Sequence, residues 1–171
     1  MSEQEMRSML LECGALQEGT FADGEGRDLR YRVEMTRLYQ QPGQMGRVMD
    51  AFAQRFAGQA IDVVAGVDEE GIIPAYALAE RLQAQCVYMM HRNGALAMRR
   101  ELSVQPGQRV LILRDATLTG RRSREAVELL RAMGATIAGV ASLVDLSGGT
   151  VRFRFPFTAM LTLDAGRAAR R

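Results

Sequence analysis

The sequence predicts an α/β fold built on a twisted, mainly parallel sheet flanked by helices. Three observations carry this. Short apolar runs at 61–66, 86–90, 110–113 and 136–144 read as buried strands. Between them, apolar residues recur at helical spacing, so strand and helix alternate as in a sheet covered on both faces. Within 171 residues there is no internal repeat and no linker-like stretch, which makes 1–171 one domain with a real core.

The elements follow in order. Met6, Met9, Leu10 and Cys13 form one helical stripe, and Gly14 suits its end. Residues 21–32 are rich in glycine and charge and read as a loop, while 30–35 alternate like a strand. Pro42 and Gly43 mark a turn. Met45, Val48, Met49, Phe52, Ala53 and Phe56 then make an amphipathic helix ending near Gly58. The 61–66 strand runs into the loop Val67-Asp68-Glu69-Glu70-Gly71. Ile73, Ala77, Leu78 and Leu82 follow on a helix with Pro74 in its first turn. After the 86–90 strand, residues 91–101 contain Gly94, Arg92, Arg99 and Arg100 with little periodicity, the pattern of a mobile basic loop. His91 falls at its strand end.

Pro106-Gly107 turns the chain into the central strand, Val110 to Leu113. A polar loop over 114–123 leads to a helix carrying Ala126, Val127, Leu129, Leu130 and Met133. Ser123 suits its N-cap, Glu125 its positive end and Gly134 its stop. The 136–144 strand ends at Asp145-Leu146, and Ser147-Gly148-Gly149 turns the chain. Residues 151–155 and 157–163 read as closing strands around Pro156, and 166–171 as a frayed basic tail. In a parallel sheet, ligands bind at the carboxyl ends of the strands. The loops at 66–71, 91–101, 114–123 and 145–149 are therefore expected on one edge.

Composition excludes several classes of function. The net charge is +2, which argues against a nucleic-acid binder. All 22 basic residues are arginine, so no lysine can form a Schiff base or hold a phosphate. Cys13 and Cys86 lack metal-ligand spacing and read as packed thiols; the single histidine cannot make a histidine-rich metal centre. No apolar run is long enough for a membrane span, and no signal peptide is evident, so a cytoplasmic protein is expected.

The loop after the central strand carries the chemistry. A strand that turns through Thr117, Thr119, Gly120 and Ser123 into a helix N-terminus can cradle a phosphate on free N–H groups. Arg121 and Arg122 add charge there. With Asp115 before it, this stretch resembles the ribose-phosphate loop of the type I phosphoribosyltransferases. Residues 11–16 with Phe21, 62–66, 106–111, 143–145 and 155–157, in that order, are similar to orotate phosphoribosyltransferase over most of the chain.

The resemblance implies a core over about 41–149 and a small hood from about 1–40 and 150–165. It implies transfer of a 5-phosphoribosyl group from phosphoribosyl pyrophosphate to orotate, with Mg²⁺. It further implies a homodimer whose basic loops are shared between sites. Asp115 would be the acidic and metal-side residue. Arg92, Arg99 and Arg100 would face the departing pyrophosphate, and 67–71 would form the pyrophosphate loop. Leu118 and Leu146 would line the base pocket.

The sequence departs from this pattern at four places. Arg114 replaces the first member of an acidic pair, and it cannot accept a hydrogen bond from a ribose hydroxyl. Asp68, Glu69 and Glu70 stand in a loop that is otherwise small and glycine-rich. Leu118 and Leu146 stand where a threonine and an arginine meet orotate; a lost charged partner costs about 2–5 kcal/mol. Arg121 and Arg122 stand where residues are small, and either clamp a phosphate or fill its place. The expectation is an orotate phosphoribosyltransferase-like protein with weakened or lost activity. Its ligand would be phosphoribosyl pyrophosphate, a nucleoside monophosphate or ribose 5-phosphate. The alternative is a non-catalytic phosphate- or nucleotide-binding regulatory or interaction subunit that keeps the fold.

Overall fold

The computed structural model describes residues 1–22, 26 and 28–166. Helix α1 (Glu3–Glu12) opens with a reciprocal cap. Ser2 Oγ accepts from Glu5 N at 3.2 Å, and Ser2 N donates to Glu5 Oε2 at 2.6 Å. Strands β1 (Leu16–Ala22) and β2 (Asp28–Val33) then pair antiparallel as a separate two-stranded sheet. The expected loop over 21–32 is thus largely strand: cross-strand pairing overrides the glycine and charge content, and a bulge between Glu18 and Phe21 absorbs Gly19. Residues 23–25 and 27 of that loop lie outside the described residues, as do 167–171 of the basic tail.

A short helix α2 (Thr36–Tyr39) precedes α3 (Pro42–Gln54). Pro42 begins α3 rather than a turn, because the first helical position needs no N–H donor. The main sheet follows, interleaved with helices. Its strands are β3 (Val63–Val67), β4 (Gln85–Arg92), β5 (Ala95–Met98), β6 (Arg109–Thr117), β7 (Thr136–Asp145) and β8 (Phe157–Thr162). Its helices are α4 (Glu69–Leu82) and α5 (Arg121–Ala132). The strand order is β5-β4-β3-β6-β7-β8, parallel throughout except for the antiparallel edge β5. The expected α/β class holds.

Alternation along the buried strands sorts the core into two layers. Val63, Ala65, Val67, Val110 and Ile112 face α5 through Ala126, Val127 and Leu130. Val64, Leu111 and Leu113 face the opposite layer, with Met45, Met49 and Phe52 of α3 and Leu78 of α4. Each of these side chains is at most 6% exposed, and each of the larger ones contributes about 1.5–3 kcal/mol of burial, the alanines less. Cys13 and Cys86 are free, partly buried thiols, in keeping with packed roles. Among the described residues, no helix is long and apolar enough to cross a membrane.

Four boundaries differ from expectation. Residues 91–101 are not one loop: His91 and Arg92 finish β4, and β5 returns antiparallel. The turn is Asn93-Gly94 with φ of 52° and 81°, the left-handed pair that a tight hairpin needs. Strand β6 runs through to Thr117, so the 114–123 loop shrinks to Leu118-Thr119-Gly120. Gly120, at φ 74°, is the N-cap of α5, and Ser123 lies buried inside the helix instead. Residues 151–155 form no strand; Val151 and Phe153 lie against Gly120.

The seat of α4 on β3 depends on two glycines. A Cβ at Gly66 would stand 2.6 Å from Gly71 O and 3.0 Å from the Ala75 Cβ. Backbone cannot yield there as a flexible side chain can. Gly66→Ala is expected to lower stability by about 1–3 kcal/mol, the usual cost of overpacking. An unchanged urea midpoint would show that α4 can shift without loss.

Candidate functional site

The carboxyl ends of β3, β4 and β6 and the start of α5 meet at Asp68. Its backbone has φ 62° and ψ 175°, a region almost reserved for glycine, at a cost of about 1–3 kcal/mol. The side chain holds it there. Asp68 Oδ1 lies 2.7 Å from His91 Nδ1, and Arg114 Nη1 donates to Asp68 Oδ2 at 2.5 Å. Arg122 Nε stands 3.8 Å from the same Oδ2. The other imidazole nitrogen, His91 Nε2, lies 2.8 Å from Glu125 Oε2 and against Arg122 Nη1. One acid at the end of β3 is therefore tied to β4, β6 and α5.

His91 and Glu125 escaped the sequence reading as site residues. The signal was period two: Val87, Met89 and His91 share one face of β4, and that face looks at α5. Tyr39 was missed as well. Pro74 lies inside α4, not in its first turn, and it has no N–H for the carbonyl of Glu70. Tyr39 Oη donates to that carbonyl at 2.8 Å. Burial, and then the nearby Asp115 and Glu70 carboxylates, push the Tyr39 hydroxyl well above its ordinary value.

The 67–71 segment is not a loop of three carboxylates. Val67 ends β3, Asp68 makes the turn, and Glu69, Glu70 and Gly71 begin α4. Acid at a helix start is favourable, which draws the helix back to Glu69. Glu69 and Glu70 are exposed at that start, so the segment still presents negative charge.

Asp115 and Thr117 stand two residues apart on β6 and look to the layer opposite α5. Asp115 Oδ1 and Thr117 Oγ1 are buried with no hydrogen-bond partner, two polar atoms that a ligand could satisfy. Arg114 Nη2 stands 3.5 Å from that Oδ1. Burial raises the Asp115 carboxyl above its usual range, and the Arg114 charge offsets only part of this. No set of three metal-ligating side chains occurs among the described residues. Both oxygens of Asp68 are engaged, and Arg114 puts a cation where a second carboxylate would complete a pair. The residues present do not fit a resident Mg²⁺.

The expected phosphate residues divide. Leu118, Thr119 and Gly120 make the turn; Thr119 Oγ1 accepts weakly from Arg121 N, the first N–H of α5, at 3.4 Å, and the N-cap Gly120 supplies no side-chain bond. Arg121 is 68% exposed and only approaches Glu125, at 3.9 Å. Arg122 turns away from the cradle into the Asp68–His91–Glu125 group. Of the arginines expected to face pyrophosphate, Arg92 ends β4 and is exposed. Arg99 meets Tyr88 Oη at 3.4 Å and Glu101 at 3.8 Å, and Arg100 is exposed. None of the three joins Asp115 through a described contact. Leu146 is 8% exposed and part of the core, with Leu118 packed against that core. Asp145 is also occupied: its carboxylate accepts from Ser147 N at 2.9 Å and Gly149 N at 3.2 Å, shaping the next turn.

The two carboxyls predict opposite acid responses. Burial pushes Asp68 upward, but hydrogen bonds from His91 and Arg114 outweigh it and hold Asp68 below its ordinary 3.8. Its stabilising contribution is present above pH 3.8 and is lost as pH falls through the lower folded value. The stability gap between the native chain and Asp68→Asn should therefore be open at neutral pH and close in acid; a gap that widens in acid would refute the assignment. Asp115 is raised, so its ionised form opposes folding at neutral pH. Asp115→Asn is expected to raise the thermal midpoint there, and a lowered midpoint would mean the carboxylate is well paired.

Residues 34–168 match the family described as the phosphoribosyl transferase domain. The chain is 33% identical to an orotate phosphoribosyltransferase of Thermotoga maritima over 93% of this chain and 85% of that protein. It is 34% identical to one of Pelotomaculum thermopropionicum, over 96% and 86%. A crystal structure of orotate phosphoribosyltransferase from Aeropyrum pernix superimposes with a TM-score of 0.77 at 25% identity, covering 92% of this chain and 93% of that one. On sequence and fold together, the chain belongs to the orotate phosphoribosyltransferase family.

Proposed function

We propose that this family member holds a phosphorylated ribose compound at the Leu118-Thr119-Gly120 turn, with orotate transfer weakened or lost. The observation that supports it best is the ion-paired group around Asp68. A pyrophosphate at the β3–α4 turn would need cationic and N–H donors. Arg114 and Arg122 are instead spent on Asp68 and Glu125, and Glu69 and Glu70 add repulsion. The cradle end differs: a helix start held only by a weak Thr119 contact, and Asp115 Oδ1 and Thr117 Oγ1 without hydrogen-bond partners, leave donors and acceptors for a ribose phosphate. Nucleoside monophosphates and ribose 5-phosphate are favoured over phosphoribosyl pyrophosphate. Because Asp115 stands beside Arg114, Mg²⁺ is expected to change this binding little.

The base pocket supports the loss of orotate. Leu146 is packed in the core and brings no charge of its own to a carboxylate. A homodimer belongs to this reading; Ile73 and Tyr76, 50% and 66% exposed and one turn apart on α4, are apolar groups such a contact would cover. Sedimentation as a monomer at all concentrations would remove the dimer.

Calorimetry with ribose 5-phosphate, uridine monophosphate, phosphoribosyl pyrophosphate and orotate, each with and without Mg²⁺, tests the proposal alongside an assay for orotidine monophosphate. Monophosphate binding without turnover supports it. Tight orotate binding with product formation would restore the full family reaction. Replacing Leu118→Thr with Leu146→Arg should strengthen orotate binding by roughly tenfold or more if one charge-assisted contact is regained. No gain in a folded double variant would mean the pocket is closed for another reason.

A further inference from the structure

On the outer side of α5, away from Asp68, lies a groove of about 540 Å³ between that helix and the 152–155 segment. Arg124, Arg131, Arg152, Arg154, Phe153 and Phe155 line it, with Glu128 the one carboxylate among its lining residues. Four guanidinium groups in one groove contrast with a chain whose net charge is only +2. Its volume falls in the range of small-ligand sites.

The lining residues divide by their partners. Arg124 and Arg152 are structural: Arg124 donates to Thr119 O at 2.8 Å and Arg152 O at 3.1 Å, and Arg152 donates to Gly149 O and Val151 O. Arg124 also covers the Phe153 ring at 5.2 Å, and Phe153 and Phe157 pack edge to face with centroids 5.2 Å apart. Arg131 and Arg154 are exposed, and neither guanidinium makes a hydrogen bond or ion pair among the described residues. Phe155 is partly buried, one side packed on the core, and it makes no ring pair among the described residues. The groove thus offers two uncommitted guanidiniums beside an aromatic surface.

We propose that this groove binds a nucleoside polyphosphate, with its base against Phe155 and its phosphates on Arg131 and Arg154. Fork-shaped donors suit phosphate oxygens, and a ring face suits a base. The site is separate from the ribose-phosphate turn but joined to it. Arg124 bonds Thr119 O, and Val151 and Phe153 pack on Gly120. An occupant of the groove would therefore bear on the turn through contacts already made.

Titration of the full chain with ATP and UTP tests this, with inorganic triphosphate, adenosine and a short oligodeoxythymidylate as comparison probes. Saturable nucleotide binding is expected, weaker for inorganic triphosphate and weakest for adenosine. Arg131→Gln with Arg154→Gln should reduce ATP affinity roughly tenfold or more, the scale of one charge-assisted contact, with the urea midpoint unchanged. Phe155→Ala should weaken ATP and spare inorganic triphosphate; because it also thins the core, its midpoint is measured in parallel. Unchanged ATP binding in the arginine variant would place the nucleotide elsewhere and overturn the proposal. So would an absence of saturable binding at millimolar ATP, or tighter binding of the oligonucleotide than of ATP.

Discussion

The geometry of the sheet's carboxyl edge depends on one carboxylate in an unfavourable place. Asp68 adopts a backbone conformation that suits glycine, yet its N–H still donates to Met89 O at 2.9 Å, and its side chain takes Arg114 and His91. A glycine would relieve the strain and release the neighbours. With Asp68, strand β4 is tied to β3 through an imidazole, and α5 is tied to both through Glu125 and Arg122. The ion pairs are only partly exposed, with Arg114 at 15% and Asp68 at 19%, so water screens them less than a surface pair. Removing one member would leave the others partly buried and uncompensated, which is why the group behaves as a unit.

Much of the fold was legible because period decided it. The apolar strands and the stripes of α1, α3 and α5 are set by burial, and burial leaves its mark at fixed spacing. What was not legible lay where a local rule was overridden or overlooked. Asn93-Gly94 is a hairpin turn signal, but the arginines around it drew attention to charge and away from backbone conformation. Leu16–Ala22 carries glycine and glutamate, and only its pairing with β2 makes it a strand. Ser123 is a good cap by type, but Gly120, in left-handed conformation beneath Val151 and Phe153, had already started the helix. In the site, Asp115 and the Thr119-Gly120 turn stand at the edge where sequence placed them. The direction of Arg122 and the role of His91 depend on Asp68, a partner more than twenty residues from either, which no local pattern records.

The two faces of β6 divide the edge into regions of different chemistry. Arg114 looks to the α5 side, where charges are mutually neutralised; Asp115 and Thr117 look to the other, where Asp115 Oδ1 and Thr117 Oγ1 have no hydrogen-bond partner. Adjacent residues of one strand must point to opposite faces, so exchanging an acid for Arg114 does more than delete a ligand. It turns a cation toward Asp68 and builds the ion-paired group. The expected departures thus reduce to two linked facts of structure: an ion-paired group on the α5 side, and an apolar cluster that includes Leu118 and Leu146.

An anion entering this edge therefore competes before it binds. Phosphate oxygens offer Arg114 and Arg122 the same kind of partner that Asp68 and Glu125 already provide, so the gain is a difference between two charge-assisted contacts and not a whole one. Freeing the guanidiniums would also leave two carboxylates beside the incoming negative charge. At the Thr119-Gly120 turn the contacts to be exchanged are weaker: Gly120 supplies no side-chain cap, Thr119 Oγ1 accepts from Arg121 N only at 3.4 Å, and the exposed Arg121 approaches Glu125 at 3.9 Å. The same kind of charge is costly to bind at one end of the edge and inexpensive at the other. That asymmetry is the physical ground for proposing a ligand with a single phosphate over one with a diphosphate.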